Sequence, residues 1–322
     1  SPTPAPTTTP SPIGFVFSPY KDVGINADWN TYTISTKVTG TTNVVPLLSV
    51  LPSNLSTITW SFATGECGAE KWAGITAAQI EPNVAQFANA NKNYILSTGG
   101  AGGTFTCSTN AGMDAFINRY MSKNLVGIDF DIEAGQSNAE IDALIKQIAY
   151  AQSKYPNLRF SFTLATLADS SGTYGSLNSI GQYVVNKALA ANLKFYVNLM
   201  VMDYGSATSS VCYVTNGACD MAQSAIQAVT NFEHNYPQIK PAYIEVTPMI
   251  GDNDVQGETF TMANAQTLAN YVITNGLGGF HIWSLDRDTS CPASQKYVSI
   301  TCNRAPNASV LGFTTLLSNT FN

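Results

Sequence analysis

The chain has 322 residues, of which 44% are hydrophobic and 11% charged, and its formal net charge is −6. This length and apolar content suffice for one large core, within the size range of a single α/β barrel. The sequence contains no cluster of Lys or Arg, so nucleic acid and anionic membrane surfaces are poor candidate partners. No apolar run approaches the roughly 20 residues that span a bilayer.

The first segment, residues 1–12, reads Ser-Pro-Thr-Pro-Ala-Pro-Thr-Thr-Thr-Pro-Ser-Pro. A Pro/Thr composition of this kind is extended and cannot build a core, which is typical of linkers between domains. No signal peptide is recognisable, which indicates a mature or trimmed chain. We expect residues 1–12 to be the remnant of an interdomain linker that followed another module, and residues 13–322 to form one folded domain.

Eight short apolar runs follow, and most are separated by segments with helical periodicity. The runs predict strands at residues 14–18, 58–63, 94–99, 126–133, 159–165, 195–204, 242–249 and 278–285. The clearest helix begins after the fourth run, where Ser137 and Glu140 have the spacing of a capping box, and ends at Tyr155-Pro156. Two more helices are predicted from about Asp220 and across residues 265–272, whereas residues 22–56 allow no confident helix.

Alternating strands and helices, repeated eight times, predict an α/β fold of the (β/α)8 TIM-barrel type. A doubly wound open sheet is the competing architecture, but no Gly-x-Gly-x-x-Gly phosphate loop follows any strand. In a barrel the functional residues belong at the carboxyl ends of the strands, and polar residues concentrate at those positions here.

The six cysteines are Cys67, Cys107, Cys212, Cys219, Cys291 and Cys302. An even number with short local separations indicates disulfides and an oxidising compartment, although six cysteines allow fifteen connectivities. Two local pairs, Cys212–Cys219 and Cys291–Cys302, would each close a short loop and leave Cys67–Cys107 as the third. Because there is no Cys-x-x-Cys motif and there are only two histidines, no zinc site or other metal is expected.

The most informative segment is residues 126–133, Val-Gly-Ile-Asp-Phe-Asp-Ile-Glu. Its acids alternate with apolar residues, so a strand would place Asp129, Asp131 and Glu133 on one face. Three carboxylates on a buried strand lose hydration and repel one another. A capped strand end or a calcium site is a structural alternative, but crowded carboxylates that share protons favour general acid catalysis.

Four segments resemble motifs of the family 18 glycoside hydrolases, the chitinases that cleave β-1,4-linked N-acetylglucosamine. They are Ser-Thr-Gly-Gly at residues 97–100, Gly-Ile-Asp-Phe-Asp-Ile-Glu at 127–133, Met-Val-Met-Asp-Tyr-Gly at 200–205 and Ile-Trp-Ser-Leu-Asp-Arg-Asp at 282–288. The resemblance covers the chain from about Ile13 onward and is nearest to the compact bacterial branch. The family signature Asp-x-x-Asp-x-Asp-x-Glu departs at its first position, which is Val126 here.

The resemblance implies a retaining reaction in which the substrate's N-acetyl group is the nucleophile. Glu133 would be the general acid and base, Asp131 would hold the acetamido group, and Tyr204 would donate to its carbonyl oxygen. Asp129 would share a proton with Asp131, because adjacent carboxylates cannot all ionise at low cost.

The same resemblance implies an aromatic floor beneath the sugar at Trp283. Met202, Asp203 and Tyr20 complete the predicted substrate-binding residues. Three other features favour a structural interpretation: Ser97 with the glycines that follow it, His281 as a satisfied core residue, and Arg287 with Asp288 as an ion pair or loop brace.

The sequence therefore predicts a secreted, monomeric endo-acting chitinase that binds chitin and chitin oligosaccharides and needs no cofactor. Only about 28 residues separate the seventh and eighth predicted strands, which leaves no room for the α+β module that deepens the groove of some family members. The alternatives are a non-catalytic chitin-binding lectin and an endo-β-N-acetylglucosaminidase acting on N-glycans. A xylanase-like barrel is disfavoured because a second glutamate at a strand end is missing.

Overall fold

Eight parallel strands form a closed barrel in the computed structural model of the chain, which describes residues 14–322. The strands are β1 Val16–Asp22, β2 Thr57–Glu66, β3 Asn93–Gly99, β4 Leu125–Asp131, β5 Arg159–Ala165, β6 Tyr196–Met200, β7 Ile244–Thr247 and β8 Gly279–Ile282. Each runs parallel to its two neighbours, and β1 pairs with both β8 and β2 to close the barrel. The predicted (β/α)8 barrel is confirmed. The predicted linker at residues 1–12 and Ile13 lie outside the described residues.

Each barrel strand except β1 is followed by at least one α-helix. The helices are α1 Ala77–Ile80, α2 Pro82–Asn89, α3 Asn110–Arg119, α4 Asn138–Lys154, α5 Ser179–Ala190, α6 Met221–Asn235, α7 Met262–Thr274 and α8 Gly312–Phe321. The β1–β2 connection instead contains the short strands Ser35–Thr36 and Val45–Pro46 and a 3₁₀ turn at Leu47–Ser49. This is the segment in which no helix could be placed from the sequence.

The loops after the barrel strands contain further short strands and turns, and one 3₁₀ turn lies just before β7. They are Lys71–Trp72 with Ile75–Thr76, Phe105–Thr106, Val214–Thr215 with Ala218–Cys219, Gly251–Asp252 with Thr259–Phe260, and the 3₁₀ turns Pro241–Tyr243 and Leu285–Arg287. One of these ribbons, residues 251–260 after β7, becomes important for the site.

The helix ends show why the capping signals were reliable. At the start of α4, Ser137 Oγ accepts from the backbone N–H of Glu140, and the Glu140 carboxylate accepts from the backbone N–H of Ser137 at 2.7 Å. At the start of α6, Asp220 accepts from the N–H of Gln223 at 3.0 Å. Because a helix leaves its first N–H groups without internal partners, these local contacts define where it begins.

Several strand ends differ from the prediction. β4 ends at Asp131, so Glu133 lies in the following loop, and β6 ends at Met200, so Asp203 and Tyr204 also lie in a loop. The turn at the end of β3 shows the cause: Gly99 has φ of +83°, and a Cβ there would lie 2.1 Å from the carbonyl oxygen of Asp131. Strand pairing stops where such turns separate two neighbouring strands. The apolar periodicity of the sequence does not show where this happens.

Side chains alternate between two environments along each strand. Outward-facing aromatic residues such as Phe130 and Phe162, with ring centroids 5.8 Å apart, are completely buried under the helices. The intervening positions point into the barrel and are largely polar, as at Asp129 and Thr163, yet they are equally buried. The barrel therefore has an apolar outer layer and a polar interior, and buried polar groups require hydrogen-bond partners.

All six cysteines form disulfides with the predicted pairing, Cys67–Cys107, Cys212–Cys219 and Cys291–Cys302. Each bond ties loops that follow the carboxyl ends of strands. Among residues 14–322, no helix is long and apolar enough to cross a membrane.

Candidate active site

A cavity of about 780 Å³ opens at the carboxyl ends of the barrel strands. Six of the eight predicted site residues line it: Tyr20, Asp131, Glu133, Met202, Asp203 and Trp283. The other two, Asp129 and Tyr204, are buried and are not among the lining residues. The ends of β1, β4, β6 and β8, with the loops that follow β4, β6 and β8, thus bring the predicted residues to one place, as expected for the functional face of such a barrel.

Asp129 lies inside the barrel, where four hydroxyl groups surround its carboxylate. Tyr20 and Ser97 donate to Oδ2 at 2.8 and 2.7 Å, and Ser161 and Thr163 donate to Oδ1 at 2.8 and 2.7 Å. Four donors stabilise the ionised form of a carboxyl group. The structural interpretation of Ser97 was therefore incomplete, because its hydroxyl contacts a signature carboxylate directly.

Asn198, on β6, orients two of those hydroxyls. Its side-chain N–H₂ donates to the oxygen of Tyr20 at 3.1 Å and to that of Thr163 at 2.9 Å, and Thr247 donates to its carbonyl oxygen at 2.8 Å. Because Asn198 is the donor in both of these contacts, the two hydroxyl protons are free to point at Asp129. These residues occupy the alternate strand positions that face the barrel interior, and this pattern could have identified the network in the sequence. No sequence motif marks it.

Asp131 and Glu133 form the part of the carboxylate cluster (Asp129, Asp131 and Glu133) that faces the cavity. Burial raises the pKa of Asp131 well above its ordinary value, and the negative charges of Glu133 and Asp129 raise it further. The pKa of Glu133 is also raised, mainly by burial and further by the negative charge of Asp203. The hydrogen bond between Glu133 and Asp131 lowers it by less than these two causes raise it. The Oδ1 atom of Asp131 is buried and has no hydrogen-bond partner among the described residues.

The predicted sharing of a proton between Asp129 and Asp131 stays a prediction, and the contacts show a second interacting pair, Asp131 and Glu133. The hydroxyl donors already satisfy Asp129, whereas Asp131 and Glu133 interact with each other and both have raised pKa values. A proton shared by Asp131 and Glu133 relieves the repulsion at the lowest cost.

Val126, where the family signature departs, lies away from this cluster. It stands at a shift in the register between β3 and β4, is partly exposed, and does not line the cavity. The departure therefore changes none of the contacts described for the three inner acids.

Tyr204 is 5% exposed, and its hydroxyl has no hydrogen-bond partner among the described residues. Burial raises its pKa, and the charge of Glu258 adds to the shift. A buried hydroxyl without a partner is uncommon, and a bound molecule that accepts a hydrogen bond would satisfy it.

Trp283 forms an aromatic wall of the cavity together with two other rings. Phe62 stacks on it with ring centroids 5.5 Å apart and planes inclined by 23°, and Tyr20 meets it edge-on at 6.0 Å. Phe62 was not singled out from the sequence, although it lies near the end of a predicted strand, where functional side chains were expected.

His281 belongs to a second buried group at the amino-terminal end of the barrel, the basal cluster of Arg159, Glu245 and His281. Its Nδ1–H donates to the carbonyl oxygen of Ser18 at 3.1 Å, and its Nε2 lies 3.4 Å from Oε2 of Glu245. Burial lowers the pKa of His281 to about 4, with the charge of Arg159 contributing. His281 is a neutral, hydrogen-bonded core residue, in agreement with the structural interpretation.

Arg287 and Asp288 brace loops separately. Arg287 donates to the backbone carbonyl oxygens of Ile250 at 3.0 Å and of Asp252 and Ser299 at 2.5 Å. Asp288 accepts from the first N–H groups of α8, which provides the cap that the helix needs. They are loop braces as predicted, but no ion pair between them is among the described contacts.

No family model matches the chain. Among curated proteins, it is 26% identical to a probable bifunctional chitinase/lysozyme of Escherichia coli K12, over 86% of this chain and 33% of that protein. It is 28% identical to endochitinase 11 of Metarhizium anisopliae, over 81% of this chain and 53% of that protein. The chain thus spans about a third and about half of the length of these relatives.

Among solved structures, the catalytic domain of a hyperthermophilic chitinase from Pyrococcus furiosus is similar, with a TM-score of 0.72 and 25% identity over 97% of this chain and 96% of that one. A catalytic-site mutant of active domain 2 of the thermostable chitinase from Pyrococcus furiosus, complexed with chito-oligosaccharides, has the same TM-score and identity over 98% and 97%. In sequence and in fold, the chain is therefore similar to chitinases, which agrees with the resemblance of its four motifs to those of the family 18 glycoside hydrolases.

Proposed function

We propose that this chain is an endo-acting chitinase that hydrolyses β-1,4-linked N-acetylglucosamine polymers. The observation that carries the proposal is the pair Asp131 and Glu133, two interacting carboxyl groups with raised pKa values that line one cavity with Trp283. A carboxyl group whose pKa is raised, beside an aromatic wall, suits the cleavage of a glycosidic bond. The chitinases among the relatives, and the chito-oligosaccharides bound to one of them, support the substrate class.

The first step of the proposed reaction breaks the glycosidic bond. Glu133 donates its proton to the glycosidic oxygen, which leaves with the bonding electron pair. The carbonyl oxygen of the substrate's N-acetyl group attacks the anomeric carbon and forms an oxazolinium ion. Asp131 accepts a hydrogen bond from the acetamido N–H, and Tyr204 donates to the acetamido carbonyl oxygen. The unpaired Oδ1 of Asp131 and the unpaired hydroxyl of Tyr204 support these assignments.

In the second step, the Glu133 carboxylate removes a proton from water, and the resulting hydroxyl attacks the anomeric carbon from the face opposite to the acetamido group. The acetamido group is regenerated, and the product retains the β configuration. Asp129, held by its four hydroxyl donors, lies behind Asp131 and does not line the cavity.

The loop between β7 and β8 supports an endo mode of action. Residues 248–278 contain only the ribbon at 251–260 and α7, with no inserted module that would wall the cavity on this side. A polymer can therefore enter along an open groove.

We also propose that the protein is secreted and monomeric. Three disulfides support an oxidising compartment outside the cytosol. Light scattering after gel filtration should give the mass of one chain, and a dimer mass would contradict the monomer.

The decisive experiment measures products from N-acetylglucosamine oligomers of defined length. We expect internal cleavage, a first-formed β-anomer by NMR, no cleavage of fully deacetylated oligomers, and inhibition by a thiazoline analogue of the oxazolinium ion that exceeds inhibition by the matching sugar. Efficient cleavage of deacetylated oligomers or a first-formed α-anomer would overturn the mechanism. Binding without turnover would indicate a lectin, and a preference for glycoprotein N-glycans would indicate an endo-β-N-acetylglucosaminidase.

A further inference from the structure

The loop after β6 has an unusual backbone at the residues that precede and follow Tyr204. Asp203 has φ of +51° and Gly205 has φ of +118°. A non-glycine residue in the left-handed region is costly, and such a conformation persists only when surrounding contacts hold it. The direction in which Tyr204 projects depends on this backbone.

The ribbon at residues 251–260 supplies the contacts that hold the loop. The Glu258 carboxylate accepts two consecutive backbone N–H groups, that of Tyr204 at 3.2 Å on Oε2 and that of Gly205 at 3.0 Å on Oε1. Glu258 is 3% exposed and is not a lining residue of the cavity. Both oxygens of a single buried carboxylate therefore hold the main chain at Tyr204 and Gly205.

Two further contacts hold Asp203 against the same ribbon. Asn253 Oδ1 accepts the backbone N–H of Asp203 at 3.2 Å, and Oδ1 of Asp203 accepts the N–H of Val255 at 3.0 Å. The N–H groups of residues 203, 204 and 205 are thus all bonded to side chains of the ribbon.

We propose that Glu258 is a positioning residue that places the Tyr204 hydroxyl for its hydrogen bond to the substrate's acetamido group. The Tyr204 hydroxyl has no hydrogen bond of its own among the described residues, so its location is set by the packing of the ring and by the backbone that Glu258 holds. This inference rests on the proposed chitinase activity. It assigns a role to a residue that no sequence motif marks, since Glu258 lies 54 positions after Tyr204.

The test is a double-mutant cycle on kcat for an N-acetylglucosamine oligomer, with Glu258→Gln, Tyr204→Phe and the double variant. The amide of Gln keeps one acceptor but presents N–H₂ to the second backbone N–H, which should move the loop. We expect Glu258→Gln to lower kcat by up to about 100-fold, the loss that a displacement of about 1 Å can cause, with little change in KM. In the Tyr204→Phe background the same substitution should lower kcat less than about 3-fold, because the hydroxyl that it misplaces is absent.

Asp252→Asn is the matched control. Asp252 lies in the same ribbon, is also buried, and bonds to Arg304 rather than to residues 203–205. We expect it to change the melting temperature without the loss of kcat. If Glu258→Gln does not fold, Glu258→Asp, which keeps the charge but withdraws it by one methylene, enters the same cycle.

The outcomes separate the two proposals. The positioning role would be overturned if the losses of kcat caused by Glu258→Gln and Tyr204→Phe simply multiply in the double variant. It would also be overturned if Asp252→Asn lowers kcat as much as Glu258→Gln does. Either result would leave the proposed chitinase activity intact. A wild-type protein that does not hydrolyse the oligomer would instead overturn the proposed function and this inference with it.

Discussion

The two ends of the barrel interior bury charge in opposite ways. At the amino-terminal end, the basal cluster pairs Arg159 with Glu245, and Arg159 also donates to the carbonyl oxygen of Gly278 at 3.0 Å and lies over the ring of Tyr196, 3.2 Å from its centroid. At the carboxyl end, the carboxylate cluster places three acids together with no cation among their hydrogen-bond partners in the described contacts.

Burial is nearly the same at the two ends, so it does not explain the difference. Glu245 is 1% exposed and Asp131 is 6% exposed. In the basal cluster the carboxylate of Glu245 is paired with the opposite charge of Arg159. In the carboxylate cluster burial raises the pKa values of Asp131 and Glu133, and like charges add to the rise, those of Glu133 and Asp129 on Asp131 and that of Asp203 on Glu133. The sign of the neighbouring charge therefore separates the basal cluster from the proposed catalytic site.

The largest expected effect comes from Glu133→Gln at the carboxyl end. The amide has nearly the same shape but cannot donate a proton to the glycosidic oxygen, so kcat should fall by about 10²–10⁴-fold or more. The melting temperature and oligomer binding should stay close to wild type. Hydrolysis of chitin oligomers together with calorimetric binding checks both, and near wild-type turnover would show that Glu133 is not the acid.

Glu245→Gln probes the basal end and should act on stability instead of turnover. It leaves Arg159 buried without its counter-charge, which should lower the free energy of unfolding by about 3–5 kcal/mol. Denaturant unfolding measures the loss, and the kcat of the folded fraction should be retained. As a control, the double variant Arg159→Met with Glu245→Leu removes both charges and should recover part of the stability. A loss below about 1 kcal/mol would contradict the role given to the ion pair.

Removing the Cys212–Cys219 disulfide probes the carboxyl end without changing any charge. The bond closes a loop with a sequence separation of 7, so replacing both cysteines by Ser should lower the free energy of unfolding by about 2–3 kcal/mol at most in a chain-entropy model. The loop beyond Tyr204 should loosen more than the barrel, which hydrogen exchange can locate. Thiol titration of the denatured, unreduced wild type should find no free thiol, and two or more would contradict the pairing.

The smallest effect is expected for Asp131→Asn, which should stabilise the folded protein where the preceding two substitutions destabilise it. The folded state raises the pKa of Asp131 above 3.8, so this group favours folding below that pH and loses its contribution as the pH rises through the raised value. The neutral amide avoids this loss. Asp131→Asn should therefore raise the melting temperature at neutral pH, and the gain should shrink as the pH falls towards 3.8, even though turnover is lost. A lower melting temperature at neutral pH would contradict the account of the cluster.

Local sequence patterns were sufficient for most of the fold and the core of the site. The capping box at Ser137 and the alternation around Asp129 depend on contacts within a few residues, which a linear pattern records. Two of the disulfides were also predictable from separations of 7 and 11 residues, and they left Cys67 and Cys107, 40 residues apart, as the third pair. The ends of β4 and β6 were not, since pairing stops where a neighbouring strand turns away.

The sequence by itself determined the eightfold alternation of strands and helices, the three disulfides, and the identity of the acids that face the cavity. Tertiary structure decided which groups surround Asp129, because its four hydroxyl donors come from β1, β3 and β5 and meet only in the closed barrel. It also decided that Glu258 meets Tyr204 and that Glu245 meets Arg159 across 86 positions. Hydrogen bonds and charge interactions act over a few ångströms in space, so the partner of a buried polar group is set by the strand order and not by its neighbours in the chain.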